Sequence, residues 1–368
     1  MRLPIQSEGF VEMITQFLRK KYSEYYSKNK VSVEDLPHRE FGFGFNNKID
    51  LRHKAFSSEE QLNNFLVNDS PMYVSYSLAH YKLPAAKPMD RKEFTGCDLV
   101  FDLDYAPIEL GLFSEEYVSN VRDSALKLTE EYLPALGFSK KEIQSNFSGQ
   151  KGFHVHVKNE AVQQLNQEAR RQLTAFSETP SKTFFLKEVT KPKELIGPSK
   201  ESGYWGKKFL NYCTEFIEKT SLDELNELGF NKKEWIDEKE LITKNLRKGK
   251  WGPAKGISKL WEKLYEEFSK QNTVQIDAKV TIDLHRLIRL PESLHGSTGF
   301  KAVKTDLKSF SIEKAIAFGK NEVEITSTQT ASFKLVNTYE FKAGEKQLVP
   351  EFVAVFAESK KIGEVKAF

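Results

Sequence analysis

Two aspartates, Asp102 and Asp104, occupy alternate positions at the end of an apolar segment. Side chains two apart on a strand share a face, so the two carboxylates would lie side by side. Like charges at that distance repel unless a cation lies between them, and Mg²⁺ and Mn²⁺ prefer oxygen ligands of this kind. Residues 105–107, Tyr-Ala-Pro, predict that the strand ends there, where sites are usually built. The alternative is an exposed polar strand face, which would need no metal.

A glycine-bracketed loop at residues 148–154 has the composition of an anion-binding turn. The glycines permit a tight bend and a close approach of backbone to a ligand. The Ser148 hydroxyl, the Lys151 ammonium and the backbone N–H groups suit phosphate oxygens. We expect His154 and His156 to point together away from the apolar side of the next strand. A plain glycine hairpin with a polar outer face is the alternative.

A third group begins at Asp277, placed on the polar face of a predicted strand, and continues with Arg286, Arg289 and His295 around a proline-terminated helix. Arginine is a planar, permanently charged ligand for phosphate. Cations near the C-terminal end of an exposed helix are equally compatible with this pattern.

Composition limits the remaining possibilities. The chain has 368 residues, of which 55 are basic and 52 acidic, and a formal net charge of +3. Any nucleic-acid surface must therefore be a local patch. Two cysteines exclude a disulfide scaffold and any four-cysteine zinc or iron–sulfur site within the chain. No P-loop, signal peptide or run of about 18 apolar residues is present, so we expect a soluble, intracellular protein in a reducing compartment.

The hydrophobic periodicity predicts the elements that position these residues. They are an amphipathic helix in the first thirty residues with Phe10, Ile14, Phe17 and Leu18 on its stripe, a hairpin with strands at 41–45 and 49–51, strands at 73–78, 97–103 and 153–157, a strand ending at 147, a helix at 115–133, a strand at 274–280 and a short helix at 283–289. Residues 161–272 read as a helical insertion with loops at 191–206 and 249–256. Residues 1–160 and 273–368 would form the α/β core.

Taken together, these segments resemble the small, catalytic subunit of archaeal and eukaryotic DNA primases. The blocks that carry the resemblance are FDLD at 101–104, SGQKGFHVHV at 148–157 and IDAKVTIDLHRLIRLPESLHGSTG at 276–299, supported by REFGF at 39–43 and DLRHKAF at 50–56. The resemblance implies a mixed α/β, or α+β, primase-type catalytic core with an inserted helical subdomain.

The resemblance also implies roles for individual residues. The metal-binding and catalytic carboxylates would be Asp102, Asp104 and Asp277, and the nucleotide-binding residues Arg52, Ser148, Gly149, Lys151, His154, Arg289 and His295. Two departures from the family pattern stand out. Gln150 and Lys151 replace two arginines, so Gln150 is not expected to touch phosphate. Residues 105–121 contain no Cys or His, so the zinc knuckle of the family is missing and no structural zinc is predicted.

The function implied is template-directed synthesis of short RNA or DNA primers in DNA replication, by nucleotidyl transfer with two Mg²⁺ or Mn²⁺ ions. The implied partners are a primase large subunit, single-stranded DNA template and NTPs or dNTPs, in the cytoplasm at the nucleoid. A plasmid- or repair-type primase-polymerase using dNTPs remains an alternative. So does a non-catalytic nucleic-acid-binding homologue, although all three carboxylates are present. A metal-dependent nuclease would not need the triphosphate ligands.

Overall fold

The computed structural model describes residues 15–104, 113–190, 193–228 and 239–366. Its helices are α1 (Gln16–Lys28), α2 (Glu59–Asp69), α3 (Glu115–Lys127), α4 (Leu133–Ala135), α5 (Glu160–Gln163), α6 (Gln167–Ala175), α7 (Lys182–Phe185), α8 (Tyr204–Lys219), α9 (Leu222–Glu227), α10 (Lys239–Arg247), α11 (Ala254–Asn272), α12 (Ala278–Ile282) and α13 (Glu351–Ser359). Its strands are β1 (Phe41–Gly44), β2 (Leu51–Lys54), β3 (Tyr73–Ser77), β4 (Ala79–Tyr81), β5 (Phe94–Cys97), β6 (Leu99–Leu103), β7 (Ile143–Phe147), β8 (Phe153–Val157), β9 (Lys187–Thr190), β10 (Lys193–Ser199), β11 (Lys248–Pro253), β12 (Leu287–Arg289), β13 (Val303–Lys304), β14 (Glu322–Ser327), β15 (Ala331–Leu335), β16 (Asn337–Phe341), β17 (Lys346–Pro350) and β18 (Gly363–Glu364).

This mixture of helices and antiparallel sheets confirms the predicted α/β class. The helix predicted near the N-terminus is present as α1, whereas Phe10 and Ile14 of its stripe lie outside the described residues, as does the predicted strand end at 105–107. A π-helical turn, Leu128–Tyr132, joins α3 to α4, so the helix predicted at 115–133 is essentially continuous. None of the described helices combines the length and apolarity needed to cross a membrane.

The first four-stranded sheet has the order β12–β3–β1–β2. The predicted hairpin forms its β1–β2 pair, and the turn is closed by Asp50, whose Oδ2 accepts hydrogen bonds from the backbone N–H groups of Phe45 (2.7 Å) and Asn46 (2.8 Å). Phe41 and Phe43 are fully buried and stack on one another at 6.3 Å. The hairpin is therefore anchored by its aromatic side chains while its turn remains polar.

The second four-stranded sheet has the order β13–β7–β8–β6, with every pair antiparallel. Its register places Asp102 of β6 opposite His154 of β8. Both faces of these strands are covered, because Val100 and Phe101 are each fully buried. His154 and His156 alternate with Phe153 and Val155 along β8 and are buried as well, so the face that they share is covered, which contradicts the alternative of a plain hairpin with a polar outer face.

The single strand predicted at 97–103 is in fact two strands in two sheets. Cys97 ends β5, which pairs with β4, and Leu99 begins β6. Asp98 makes the break: its backbone N–H donates to the Leu78 carbonyl (2.9 Å) and its carboxylate accepts from Arg39 (2.6 Å). Cys97 itself is fully buried.

Two elements around the third sequence block were predicted wrongly. Residues 274–280 do not form a strand; Asp277 is the N-cap of α12, and its Oδ1 accepts from the Lys279 N–H (3.0 Å). Residues 283–289 do not form a helix, because Leu287–Arg289 pairs with the open edge of β3, with Arg289 opposite Ser75. Asx-type capping and edge pairing both override the local hydrophobic period.

Contacts divide the chain into two compact units, residues 175–275 and the remainder. By this division α5 and most of α6 belong with the larger unit. The smaller unit contains α7–α11 and also a three-stranded sheet of order β11–β10–β9. The loops predicted at 191–206 and 249–256 were therefore wrong in part, since β10 and β11 lie there.

Candidate active site

The three sequence blocks meet within the larger unit at the end of β6. The backbone N–H of Asp277 donates to the Asp102 carbonyl at 2.8 Å. Beside this junction lies a cleft of about 310 Å³. Nine of the residues that the sequence analysis singled out line it: Arg52, Asp102, Asp104, Ser148, Gln150, His154, Arg286, Arg289 and His295. Gly149, Lys151 and Asp277 adjoin the cleft and are not among its lining residues.

Asp102 is the most perturbed carboxylate of the site. Its side chain is only 18% exposed, and its Oδ1 is buried with no hydrogen-bond partner. Nε2 of His154 lies 3.6 Å from that oxygen, beyond hydrogen-bond distance. Burial first, and then the charges of Asp104 and Asp277, raise the pKa of Asp102 to about 7. A buried carboxylate oxygen without a counter-charge is a position where a cation would bind favourably.

The other two carboxylates have partners of their own. Asp104 lies 3.2 Å from the Lys151 ammonium through its Oδ1, and Asp277 caps α12. Among the described residues, no three His, Cys, Asp or Glu side chains are gathered closely enough to hold a metal ion. The hard oxygen donors and the partnerless Oδ1 of Asp102 nevertheless fit Mg²⁺ or Mn²⁺. The predicted metal role of the three aspartates remains a prediction.

The glycine loop between β7 and β8 is a tight turn organised by Ser148. The Ser148 N–H donates to the Gly152 carbonyl (2.9 Å), and its Oγ accepts from the Gly152 N–H (3.1 Å). Gly152 lies against the end of β6, where a Cβ would come within 2.4 Å of the Leu103 carbonyl oxygen. This close approach brings Lys151 to Asp104. Gln150 lines the cleft, and Lys151 pairs with Asp104; the prediction that Lys151 and not Gln150 contacts phosphate stays a prediction.

The glycine loop is also tied to the third sequence block. Gly149 has a φ of +83°, and a Cβ there would lie 3.0 Å from the Cβ of His295. Its carbonyl accepts a hydrogen bond from the Thr298 hydroxyl at 2.6 Å, and both groups are buried. Two segments almost 150 positions apart are therefore held in register by one side chain.

Two histidines at the cleft are held neutral. Burial, followed by the charges of His156 and Arg289, lowers the pKa of His154 to about 3. Burial and the charge of Arg289 hold the pKa of His295 well below its usual range. The Ser297 N–H donates to Nδ1 of His295 (3.3 Å), so the neutral ring carries its proton on Nε2. His295 thus offers an uncharged donor at the cleft.

Arg289 supplies a buried positive charge. Its guanidinium lies 5.0 Å from the centre of the Tyr73 ring, and one Nη donates to the Val74 carbonyl (3.3 Å). Burial lowers the pKa of Arg289 to about 10, which leaves the group charged at neutral pH. Its Nε is buried without a hydrogen-bond partner. A buried cation with unused donor capacity is suited to an anionic ligand.

Arg52, on β2, is positioned by the fully buried Glu40. Its Nε donates to Glu40 Oε1 (3.0 Å) and its Nη2 to Glu40 Oε2 (3.3 Å). The predicted nucleotide-site arginine therefore reaches the cleft in a fixed, bidentate geometry. The sequence analysis did not single out four further cleft residues: Lys48, Ser75, Asp283 and His285. Asp283 and His285 lie within the third block, whereas Lys48 and Ser75 carry no local signal.

Comparison with known proteins agrees with this geometry. Residues 101–306 match the family model described as DNA primase small subunit. The chain is 30% identical over 355 residues to the DNA primase small subunit PriS of Thermoplasma volcanium, covering 93% of this chain and 95% of the relative. It is 29% identical over 405 residues to PriS of Methanosarcina acetivorans (95% and 96%) and 30% identical over 355 residues to PriS of Archaeoglobus fulgidus (94% and 97%). The chain belongs to the DNA primase small subunit family and has its catalytic primase role, that of a nucleotidyltransferase-type enzyme in DNA replication.

Proposed function

We propose that the cleft performs template-directed nucleotidyl transfer with two divalent ions, Mg²⁺ or Mn²⁺, held by Asp102, Asp104 and Asp277. The observation that carries the proposal is the buried, partnerless Oδ1 of Asp102 beside two further carboxylates. When bound, the ions supply activation of the primer 3′-hydroxyl and neutralisation of charge on the departing pyrophosphate.

The protein's own contribution is to position the incoming triphosphate. Arg289 offers a buried guanidinium, Arg52 a guanidinium fixed by Glu40, and His295 an uncharged N–H donor, all at one cleft. Ser148 of the glycine loop lines the same cleft. Holding an anionic nucleotide in line with the attacking hydroxyl lowers the activation free energy, chiefly through entropy and electrostatics. Because Lys151 pairs with Asp104, its ammonium would also orient that carboxylate.

Initiation without a primer requires two nucleotides to meet in the cleft, which carries a large entropic cost. We therefore propose a heterodimer with a primase large subunit that assists the first condensation. A co-expressed large subunit should raise the rate of initiation on single-stranded template far more than the rate of extension of a preformed primer.

The test compares the Asp102→Asn variant with Asp123→Asn, an exposed aspartate of α3. Primer extension and pyrophosphate release are measured in Mg²⁺ and in Mn²⁺, with circular dichroism to monitor the fold. We expect Asp102→Asn to lose synthesis in both metals with its fold intact and Asp123→Asn to retain it. Robust synthesis by Asp102→Asn would overturn the proposal.

A further inference from the structure

The smaller unit presents a concentration of cations that the catalytic cleft does not use. They line a groove of about 660 Å³, here called the basic groove, whose cations are Lys200, Lys239, Lys244, Arg247 and Lys248 and whose carboxylates are Glu218 and Glu240. Five cations against two carboxylates contrast with a whole chain that carries 55 basic and 52 acidic residues. The groove is therefore the kind of local patch that a nearly neutral nucleic-acid-binding chain requires.

The groove is built where α10 passes into β11. The helix buries Ile242 and Leu246, which leaves Lys244 and Arg247 on its exposed side. The backbone N–H of Lys200 donates to the Arg247 carbonyl at 3.1 Å. The turn after β10 and the end of α10 therefore hold their cations next to one another through backbone contacts.

A packed aromatic layer supports this surface. Trp251 of β11 is fully buried, donates from its indole N–H to the Pro198 carbonyl (2.8 Å) and stacks on Phe209 at 5.4 Å with an interplanar angle of 7°. Trp261 donates in turn to the Trp251 carbonyl (3.0 Å). The strands below the groove are thus fixed, so that binding a ligand there would cost little ordering of backbone.

None of the five groove cations forms an ion pair with a carboxylate in the part of the chain that the structure describes; Lys239 donates instead to the backbone carbonyl of Glu218 (2.9 Å). Exposed lysines elsewhere do form pairs, as Lys182 does with Glu262 (2.8 Å) and Lys346 with Glu324 (2.9 Å). Neighbouring unpaired cations repel one another within a Debye length of about 10 Å. A polyanion that spans the groove would relieve that repulsion.

We propose that the basic groove binds the phosphodiester backbone of single-stranded DNA. Four of the five cations are lysines, which contact phosphate as point charges and do not read base edges. Sequence-independent contact is what an enzyme that copies varied templates needs. This inference deepens the proposed function, because the bound strand would be the template.

The test replaces three groove cations in the full-length chain, as Lys244→Gln, Arg247→Gln and Lys248→Gln together. The matched control removes the same charge from three ion-paired cations, as Arg171→Gln, Lys182→Gln and Lys346→Gln. Binding of a fluorescent oligothymidine strand is titrated at several salt concentrations, with thermal melting of each variant.

We expect the groove variant to bind the oligonucleotide about tenfold more weakly at low salt. The plot of log affinity against log salt concentration should also become less steep by about 2, because each of the three lost phosphate contacts contributes about 0.7 to the slope. The control should keep the wild-type slope. An unchanged slope in the groove variant would overturn the proposal. So would a variant that binds duplex DNA or an acidic protein more weakly but binds single-stranded DNA with wild-type affinity.

A catalytic readout separates this inference from the proposed chemistry. The groove variant should show a raised KM for template with an unchanged kcat at saturating template. Asp102→Asn should bind the oligonucleotide with the wild-type slope and make no product. If the groove variant keeps the wild-type KM for template while Asp102→Asn binds DNA and makes no product, the groove proposal is wrong and the proposed active site is supported.

Discussion

The backbone N–H of Asp277 donates a 2.8 Å hydrogen bond to the backbone carbonyl of Asp102. This contact joins the start of α12 to the end of β6. The side chain of Asp277 meanwhile caps α12 through the Lys279 N–H. Asp277 therefore combines a backbone contact, a helix cap and a negative charge near Asp102. A substitution that removes only the charge can separate its effect from the two structural contacts.

The first prediction concerns Asp277→Asn. Asparagine caps a helix about as well as aspartate, and the backbone N–H is unchanged, so we expect the melting temperature to stay near that of the wild type. Loss of the charge should reduce primer extension by about 100-fold or more, because divalent-ion stabilisation of the transition state contributes several kcal/mol. Steady-state extension assays in Mg²⁺ check this.

The control for that variant is Asp306→Asn. Asp306 also caps a short helical turn, through the Lys308 N–H (3.1 Å), and lies outside the cleft. The Asp306→Asn variant should extend primers at the wild-type rate. Equal activity of the two variants would argue that Asp277 acts only as a cap.

The second prediction concerns Thr298, whose hydroxyl joins the glycine loop to the third sequence block. Thr298→Val keeps the shape and leaves the Gly149 carbonyl unpaired, which costs about 1–3 kcal/mol of unfolding free energy. We expect a raised KM for nucleotide as the loop loosens. Thr298→Ser keeps the hydroxyl and should have the stability and the KM for nucleotide of the wild type. If the serine and valine variants behave alike, the hydrogen bond does not hold the loop.

The parts of the site that the sequence predicted are those encoded locally. A DxD at a strand end and a loop with two glycines can each be recognised from adjacent residues, and both lie at the cleft. Alternation of Phe41 and Phe43 likewise suffices to predict β1. In these cases the same residues determine both the local conformation and the burial.

The wrong predictions arise where a distant partner decides the conformation. Arg39 and Leu78 break the strand at Asp98, and the open edge of β3 draws Arg289 into a strand. Residues 274–280 alternate as a strand would, yet the Asp277 N–H donates to the distant Asp102 carbonyl and a helix begins there. Neither hydrophobic period nor spacing contains that information, because the competing hydrogen bonds come from elsewhere in the chain.

The third prediction tests the close approach of the glycine loop to β6. In Gly152→Ala, the new Cβ would meet the Leu103 carbonyl oxygen at 2.4 Å and the Asp104 Cβ at 3.1 Å. Backbone cannot yield as a side chain can, so we expect a loss of about 1–3 kcal/mol of stability and a fall in activity. The measurement is urea unfolding followed by extension assays. Gly319→Ala, whose Cβ would touch only a flexible carboxylate at 3.4 Å, should change neither.

The fourth prediction follows from the buried carboxylate of Asp98, which Arg39 contacts at 2.6 Å and His80 at 3.0 Å. Burial alone would raise its pKa, but the hydrogen bond from His80 and the charge of Arg39 hold it well below the usual range. A carboxylate with a depressed folded-state pKa stabilises the fold fully above its unfolded pKa of about 3.9, and that contribution is lost as the pH falls further.

Asp98→Asn should therefore be less stable than the wild type at pH 7, by about 3–5 kcal/mol, because Arg39 is left buried without its counter-charge. Below pH 4 the difference should shrink, because the unfolded wild type binds a proton at Asp98 that the folded protein, with its depressed pKa, does not. Urea unfolding midpoints between pH 7 and pH 2.5 measure both effects, with the exposed Asp123→Asn variant expected to follow the wild type throughout. A gap between wild type and Asp98→Asn that stays constant down to pH 2.5 would show that the Asp98 charge does not stabilise the fold.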